Sequence, residues 1–174
     1  MTSKLFSTVL QRLFTLLTQK VLDDDFTEKT TMFLDPEGVK LFSYWLIQQM
    51  ESIFPTPTAI GGMETRATPL AYSAAVLSPF PLNIFVVHKE NSEVEGKIGK
   101  DTPVVIIDNV ISTGSTTLKT IKAVEALGCK VVGIYCLIDK EENRVPELNL
   151  YTPLLTPAFT SAMLLSAKKR IISL

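Results

Sequence analysis

Apolar residues recur along this chain with helical and with strand spacing, and the changes between the two predict the elements in order. Leu5, Phe6, Val9, Leu10, Leu13, Phe14, Leu16 and Leu17 form a stripe interrupted by Gln11 and Arg12, which predicts an amphipathic first helix. A second helix is predicted from Glu37 to Phe54, with Pro36 near its start and Val39, Leu41, Phe42, Trp45, Leu46 and Met50 on its apolar side; Pro55 and Pro57 end it. Ala59-Ile60-Gly61-Gly62 reads as a strand running into a tight, backbone-exposing turn, where paired glycines reach conformations closed to other residues. Thr65 to Leu77 reads as a helix of small residues, and Leu82 to Val87 as a short strand. The run Val104-Val105-Ile106-Ile107 suits a strand buried on both faces of a parallel sheet, ending at Asp108. Leu118, Ile121, Val124 and Leu127 return to helical spacing, Gly128 stops that helix, and Lys130 to Asp139 is a strand. Pro153 to Thr156 reads as an edge strand, with Thr156 capping a final helix through Met163 and Ser166.

Length and charge narrow the function. The 174 residues fit one domain with a sizeable core. A net charge of -1 and the lack of a Lys/Arg-rich stripe argue against nucleic acid as a partner. Pro69 to Val87 contains no charged residue and is long enough to span a bilayer, but its prolines, serines and Asn83 break it into a helix, a loop and a strand. Lys4 before an apolar run has no cleavage site after it, so a packed helix is expected there and no membrane association. Cys129 and Cys136 have no second Cys or His cluster nearby and read as buried thiols of a reducing compartment. The run Asp23-Asp24-Asp25 reads as a solvated helix end, because adjacent carboxylates point in different directions.

The chemistry concentrates between Pro103 and Thr116. An apolar strand delivers Asp108; Ser112-Thr113-Gly114-Ser115-Thr116 follows and then a helix. A helix start presents unpaired N–H groups and partial positive charge, and Gly114 lets backbone approach a ligand closely. Alone, that loop fits either a phosphate cup or a helix capped by Ser115 or Thr116. The acid at the carboxyl end of a strand, where open α/β sheets bind ligands, favours a sugar phosphate, with the carboxylate on ribose hydroxyls and the loop on the 5-phosphate.

Val-Val-Ile-Ile-Asp-Asn-Val-Ile-Ser-Thr-Gly-Ser-Thr, from Val104 to Thr116, resembles the 5-phosphoribosyl-1-pyrophosphate (PRPP) motif of type I phosphoribosyltransferases, with Asn109 in place of the second acid. Gly61-Gly62-Met63-Glu64-Thr65-Arg66-Ala67-Thr68-Pro69-Leu70-Ala71 resembles the pyrophosphate-contacting segment of orotate phosphoribosyltransferases, with Arg66 in place of a small residue. Residues 88–101 resemble the family's mobile catalytic loop, which reaches into the neighbouring subunit; Lys89 and a glycine match, while His88 stands for Arg, Ser92 for a second Lys, and Val94 or Glu95 for His. Asp139-Lys140-Glu141-Glu142 resembles an Asp-Arg-x-Glu segment whose Arg contacts orotate. Near the front, either Lys29-Thr30-Thr31-Met32-Phe33-Leu34-Asp35 or Phe26-Thr27-Glu28-Lys29 matches the segment that encloses the base.

The resemblance implies one α/β domain over residues 1–174, with a central parallel sheet flanked by helices, an N-terminal helix and hood over about 1–36 and a core over about 37–174. It implies transfer of phosphoribosyl from PRPP to orotate in UMP biosynthesis, by a cytoplasmic homodimer, with Mg²⁺ carried mainly by PRPP and no protein side chain assigned to the metal. Asp108 and Lys89 are the implied catalytic residues. PRPP would be bound by Asp108, Asn109, Ser112, Thr113, Gly114, Ser115, Thr116, Gly62, Lys89 and His88, and the base by Lys29, Phe33 and Lys140. His88 alone reads more readily as a solvated strand-end residue than as a catalyst. Two alternatives stay open: transfer to another base, suggested by Lys140, and a PRPP- or nucleotide-binding regulatory protein that kept the cup and lost the lid chemistry. For the altered lid, Lys97 and Lys100 are candidate substitute cations.

Overall fold

A computed structural model describes residues 12, 15, 36–65, 67–140, 145, 148 and 152–155. Strands β1 (Ala59–Met63), β2 (Asn83–Val87), β3 (Val94–Gly96), β4 (Pro103–Ile111), β5 (Lys130–Asp139) and β6 (Thr152–Leu155) form one sheet in the order β3-β2-β1-β4-β5-β6. All pairings are parallel except that of β3, which runs back against β2 at the edge. Helices α1 (Pro36–Met50), α2 (Ala67–Leu77) and α3 (Ser115–Ala126) cover it.

Each face has its own core. Leu41, Phe42, Trp45, Leu46 and Met50 of α1 and Leu70, Ala71 and Ala74 of α2 pack on Ile60, Val105, Ile107 and Leu137. On the other face, Val124 of α3 packs with Val104, Ile106, Phe85, Ile134 and Cys136. β4 and β5 are therefore apolar on both sides, which accounts for the unbroken runs in their sequences. Burying about 1.5–3 kcal/mol worth of apolar surface per large side chain makes these two strands the anchor of the sheet. The Trp45 ring meets Tyr135 edge-on, with centroids 5.9 Å apart, and ties α1 to β5.

Several boundaries move. α1 ends at Met50, short of the expected Phe54, where the Ser52 hydroxyl donates to the Gln49 carbonyl and starts a turn. The uncharged stretch 69–87 is the helix, loop and strand its prolines predict, and among the described residues no helix is long and apolar enough to cross a membrane. Both cysteines are buried. The glycine pair is not a turn: Gly61 and Gly62 are buried inside β1. A Cβ on Gly61 would lie 2.0 Å from the Phe85 carbonyl oxygen, and one on Gly62 2.2 Å from that of Ile107. Both glycines thus permit close packing of backbone and sheet.

The largest correction concerns the expected lid. Residues 89–92 make a tight turn, closed by the His88 N–H on the Glu93 carbonyl (2.8 Å) and the Ser92 N–H on the His88 carbonyl (2.9 Å). Val94, Glu95 and Gly96 then pair with Val87, Val86 and Phe85, so the glycine matched to the catalytic loop is a strand residue. The first helix apart from Arg12 and Thr15, the acidic run 23–25, Lys29, Phe33, Arg66, Glu141, Glu142 and the final helix lie outside the described residues.

Candidate functional site

β1, β2, β4 and β5 are parallel and end on the same edge of the sheet, which collects the predicted site residues. β4 runs past Asp108 to Ile111, because β5 continues to pair with it through Val110 on Ile138 and Ile111 on Asp139. Asp108 therefore lies within the strand and not at its end. Its side chain turns to the α3 face, where the Thr117 hydroxyl donates to Oδ2 across 3.2 Å. Thr117 is buried in the first turn of α3, so the carboxylate is fixed beside the start of that helix.

Asn109 behaves differently. It is buried, and its Oδ1 accepts the neighbouring Val110 N–H at 2.9 Å. That bond fixes which end of the amide is which and leaves Nδ2 buried with no protein partner among the described residues.

Neither Ser115 nor Thr116 caps α3. The N-cap is Gly114, in the left-handed region (φ 81°), with no side-chain capping bond. Leu118 N–H donates to the Gly114 carbonyl and closes the first turn, while helix geometry leaves the N–H groups of Thr116 and Thr117 without intrahelical acceptors. The Ser115 N–H has only a long contact, 3.3 Å, to the Thr113 hydroxyl. Ser115 and Thr116 are exposed and Ser112 and Thr113 half-buried, so the loop faces outward. Behind it, Val145 N–H donates to the Thr113 carbonyl (2.9 Å), and a Cβ on Gly114 would lie 2.4 Å from Leu148 Cδ2. The glycine is required twice, by its φ and by the leucine beneath it.

Lys140 follows β5 on the same edge, its N–H on the Ile111 carbonyl at 2.9 Å. On the other side, Glu64 leaves β1 and meets the end of β2: its Oε1 accepts the Lys89 N–H (2.8 Å) and its Oε2 lies 3.0 Å from His88 Nδ1. His88 Nε2 is 3.3 Å from Glu95. The hydrogen bonds from the Lys89 N–H and His88 hold the Glu64 carboxyl below its usual range. Glu64 in turn holds the His88 imidazolium above its usual range. Lys89 is exposed beside this cluster.

Lys97 and Lys100 lie away from this edge of their own chain. β3 carries the chain back toward the amino ends of the parallel strands, and the Lys100 Cα would lie 3.2 Å from a Cβ on Gly128, beyond the far end of α3. Sequence reasoning did not single out Glu64, Thr117 or Leu148. Thr117 and Leu148 lie outside the matched motifs, and Glu64, though inside the matched segment that starts at Gly61, acts on residues 24 and 25 positions further on.

An acid held against a helix start, beside a loop of outward N–H groups at the carboxyl edge of a parallel sheet, is an arrangement with which α/β proteins take phosphorylated ligands. The phosphoribosyl transferase domain family matches residues 30–162, and the chain belongs to that family. It is 32% identical over 118 residues to the orotate phosphoribosyltransferase of Aquifex aeolicus, covering 63% of each chain, so it spans under two thirds of that relative. With the orotate phosphoribosyltransferase of Bradyrhizobium diazoefficiens the identity is 31% over 159 residues, 81% of this chain and 83% of the other. Its fold is also that of a solved orotate phosphoribosyltransferase from Mycobacterium tuberculosis in complex with PRPP (TM-score 0.64, 22% identity, 74% of this chain and 79% of that one).

Proposed function

We propose that the chain binds PRPP across the carboxyl end of β4 and transfers its phosphoribosyl group to orotate, giving orotidine 5-phosphate and pyrophosphate. The observation that carries this reading is the pairing of Asp108 with Thr117, which sets one carboxylate beside the Ser112–Thr116 loop. The 5-phosphate sits on the loop N–H groups, Asp108 accepts from the ribose hydroxyls, and Asn109 stands where a second acid would. Positive charge building on the ribose ring is offset by Asp108, and negative charge on the leaving diphosphate by Lys89 at the end of β2, where the His88 proton tempers the Glu64 and Glu95 carboxylates. Lys140, at the end of β5, holds the base, together with Lys29 and Phe33. Mg²⁺ would be carried mainly by PRPP, with no side chain of this chain assigned to it, and would supply positive charge against the leaving group. Among the described residues no three His, Cys, Asp or Glu side chains cluster so as to hold a metal ion.

The relatives support orotate as the base, and Cys129, a buried free thiol, suits a reducing, cytoplasmic setting. The outward apolar side of α2, with Tyr72 and Val76 exposed, supports a homodimer, which sedimentation tests. A second reading, PRPP or nucleotide binding without transfer, is favoured by the tight turn at 89–92, which brings no lysine beyond Lys89 to the edge. Loss of orotate absorbance on mixing protein, Mg²⁺, PRPP and orotate supports transfer; PRPP binding with no absorbance loss, and no product from a panel of purine and pyrimidine bases, supports the second reading.

A further inference from the structure

His88 touches carboxylates through both ring nitrogens: Nδ1 lies 3.0 Å from Glu64 Oε2 and Nε2 lies 3.3 Å from Glu95 Oε2. A neutral imidazole carries one N–H, so one of the two contacts would set a ring lone pair against a carboxylate oxygen; only the doubly protonated ring satisfies both. The three side chains come from the end of β1, the end of β2 and β3. The turn adds Lys89, Glu90 and Glu93, of which Lys89 bonds Glu64 through its N–H and Glu93 accepts the His88 N–H through its carbonyl. Among the described residues no other ion pair reaches the ring.

The cluster faces the same edge as the phosphate loop. β1 lies between β2 and β4, and strand spacing separates β2 from β4 by about 10 Å. Extending the register Gly61 on Ile106 sets Met63 level with Asp108, and Met63 is level with Val87. His88 thus stands two strands from Asp108, one residue further out.

We infer that His88 is a charge-selecting residue of this edge: an imidazolium clasped by Glu64 and Glu95, whose loss of a proton leaves two uncompensated carboxylates facing whatever anion the edge binds. The inference rests on the reading of the edge as a PRPP site and names what its β2 side discriminates. With the ring protonated the trio carries one negative charge, and without the proton it carries two. A diphosphate extending from the ribose toward β2 feels the difference, whereas a phosphate confined to the β4–α3 loop feels little of it. At about 10 Å, one charge changes affinity by about twofold to tenfold for effective dielectric constants of about 80 to 25. Affinity for PRPP relative to ribose 5-phosphate therefore falls as pH rises through the His88 titration.

His88 is the chain's only histidine, so one imidazole NMR signal follows it without assignment. The expected result is a midpoint above the ordinary value in the wild type, lower in Glu64→Gln and in Glu95→Gln. Calorimetric titration of PRPP and of ribose 5-phosphate from pH 6 to 9 is expected to give an affinity ratio that drops twofold to tenfold across that midpoint, and that stays flat in His88→Arg, which keeps its charge. An ordinary midpoint in the wild type overturns the clasp. A flat ratio in the wild type, with both ligands bound, overturns the selecting role and leaves the PRPP site standing. If neither ligand binds at any pH, the PRPP site fails and the selecting role with it, while the NMR midpoint still decides the clasp.

Discussion

The Thr117 hydroxyl donates to Asp108 Oδ2 at 3.2 Å, joining the carboxylate of β4 to the first turn of α3, nine residues on. The two functional parts of the edge, acid and phosphate loop, are thereby held as one unit. Nothing in the residue pattern announces the bond, since Thr117 reads as one more small hydroxyl in a loop rich in them.

Thr117→Val keeps the shape of this buried side chain and removes the donor. A hydrogen bond to a charged group contributes about 1.5–3 kcal/mol. PRPP affinity, by calorimetry, is expected to fall about tenfold or more, with the fold retained by circular dichroism. Unchanged affinity would separate Asp108 orientation from binding.

Gly114→Ala strains a left-handed backbone and drives a methyl group into Leu148. The conformation alone costs about 1–2 kcal/mol. In a double-mutant cycle with Leu148→Ala, denaturation is expected to show the pair less destabilised than the sum of the singles, by about 0.5–1 kcal/mol, the steric share of the penalty. Strict additivity would mean that the leucine does not confine the loop.

The Glu64–His88 pair gives stability its own pH window. A histidine whose folded value lies above the ordinary 6.5 contributes fully below 6.5, and the contribution is lost as pH rises through the raised value. A glutamate whose folded value lies below the ordinary 4.5 contributes fully above 4.5, and the contribution is lost as pH falls through the lowered value. The melting-temperature difference between wild type and His88→Gln is therefore expected to be largest between about pH 4.5 and 6.5 and to shrink on both sides. A difference independent of pH would assign the pair no role in stability.

Lys89 and the later lysines separate the edge from the rest of the hairpin. Lys89→Ala is expected to lower orotate turnover by about 10²-fold, as when one positioned stabiliser of the transition state is removed. Lys97→Ala and Lys100→Ala, on residues carried away from the edge by β3, are expected to leave turnover unchanged. The reverse order would place the lid cations where the sequence alone first suggested them.

The elements whose cause is local were legible. β5 runs from Lys130 to Asp139 as its apolar run and the stop at Gly128 dictate, and the acid, loop and helix after β4 follow in the order the motif gives. What escaped depends on partners distant in sequence. β4 continues through Asp108 and Asn109 because Ile138 and Asp139 of β5 keep pairing with it, although the two polar residues suggest an end. The glycines of β1 suggest a turn until the Phe85 and Ile107 carbonyls occupy the space where their side chains would be. The polar run 88–101 has the composition of a lid, but Val94, Glu95 and Gly96 find an open sheet edge at β2 and take it, so four residues remain for the turn.

A crystal of the chain soaked with PRPP tests the central claim most directly. The 5-phosphate is expected on the N–H groups at the start of α3, with the ribose hydroxyls on Asp108, and no such density in Asp108→Ala. A phosphate bound elsewhere, or the same density with the alanine in place, would contradict it.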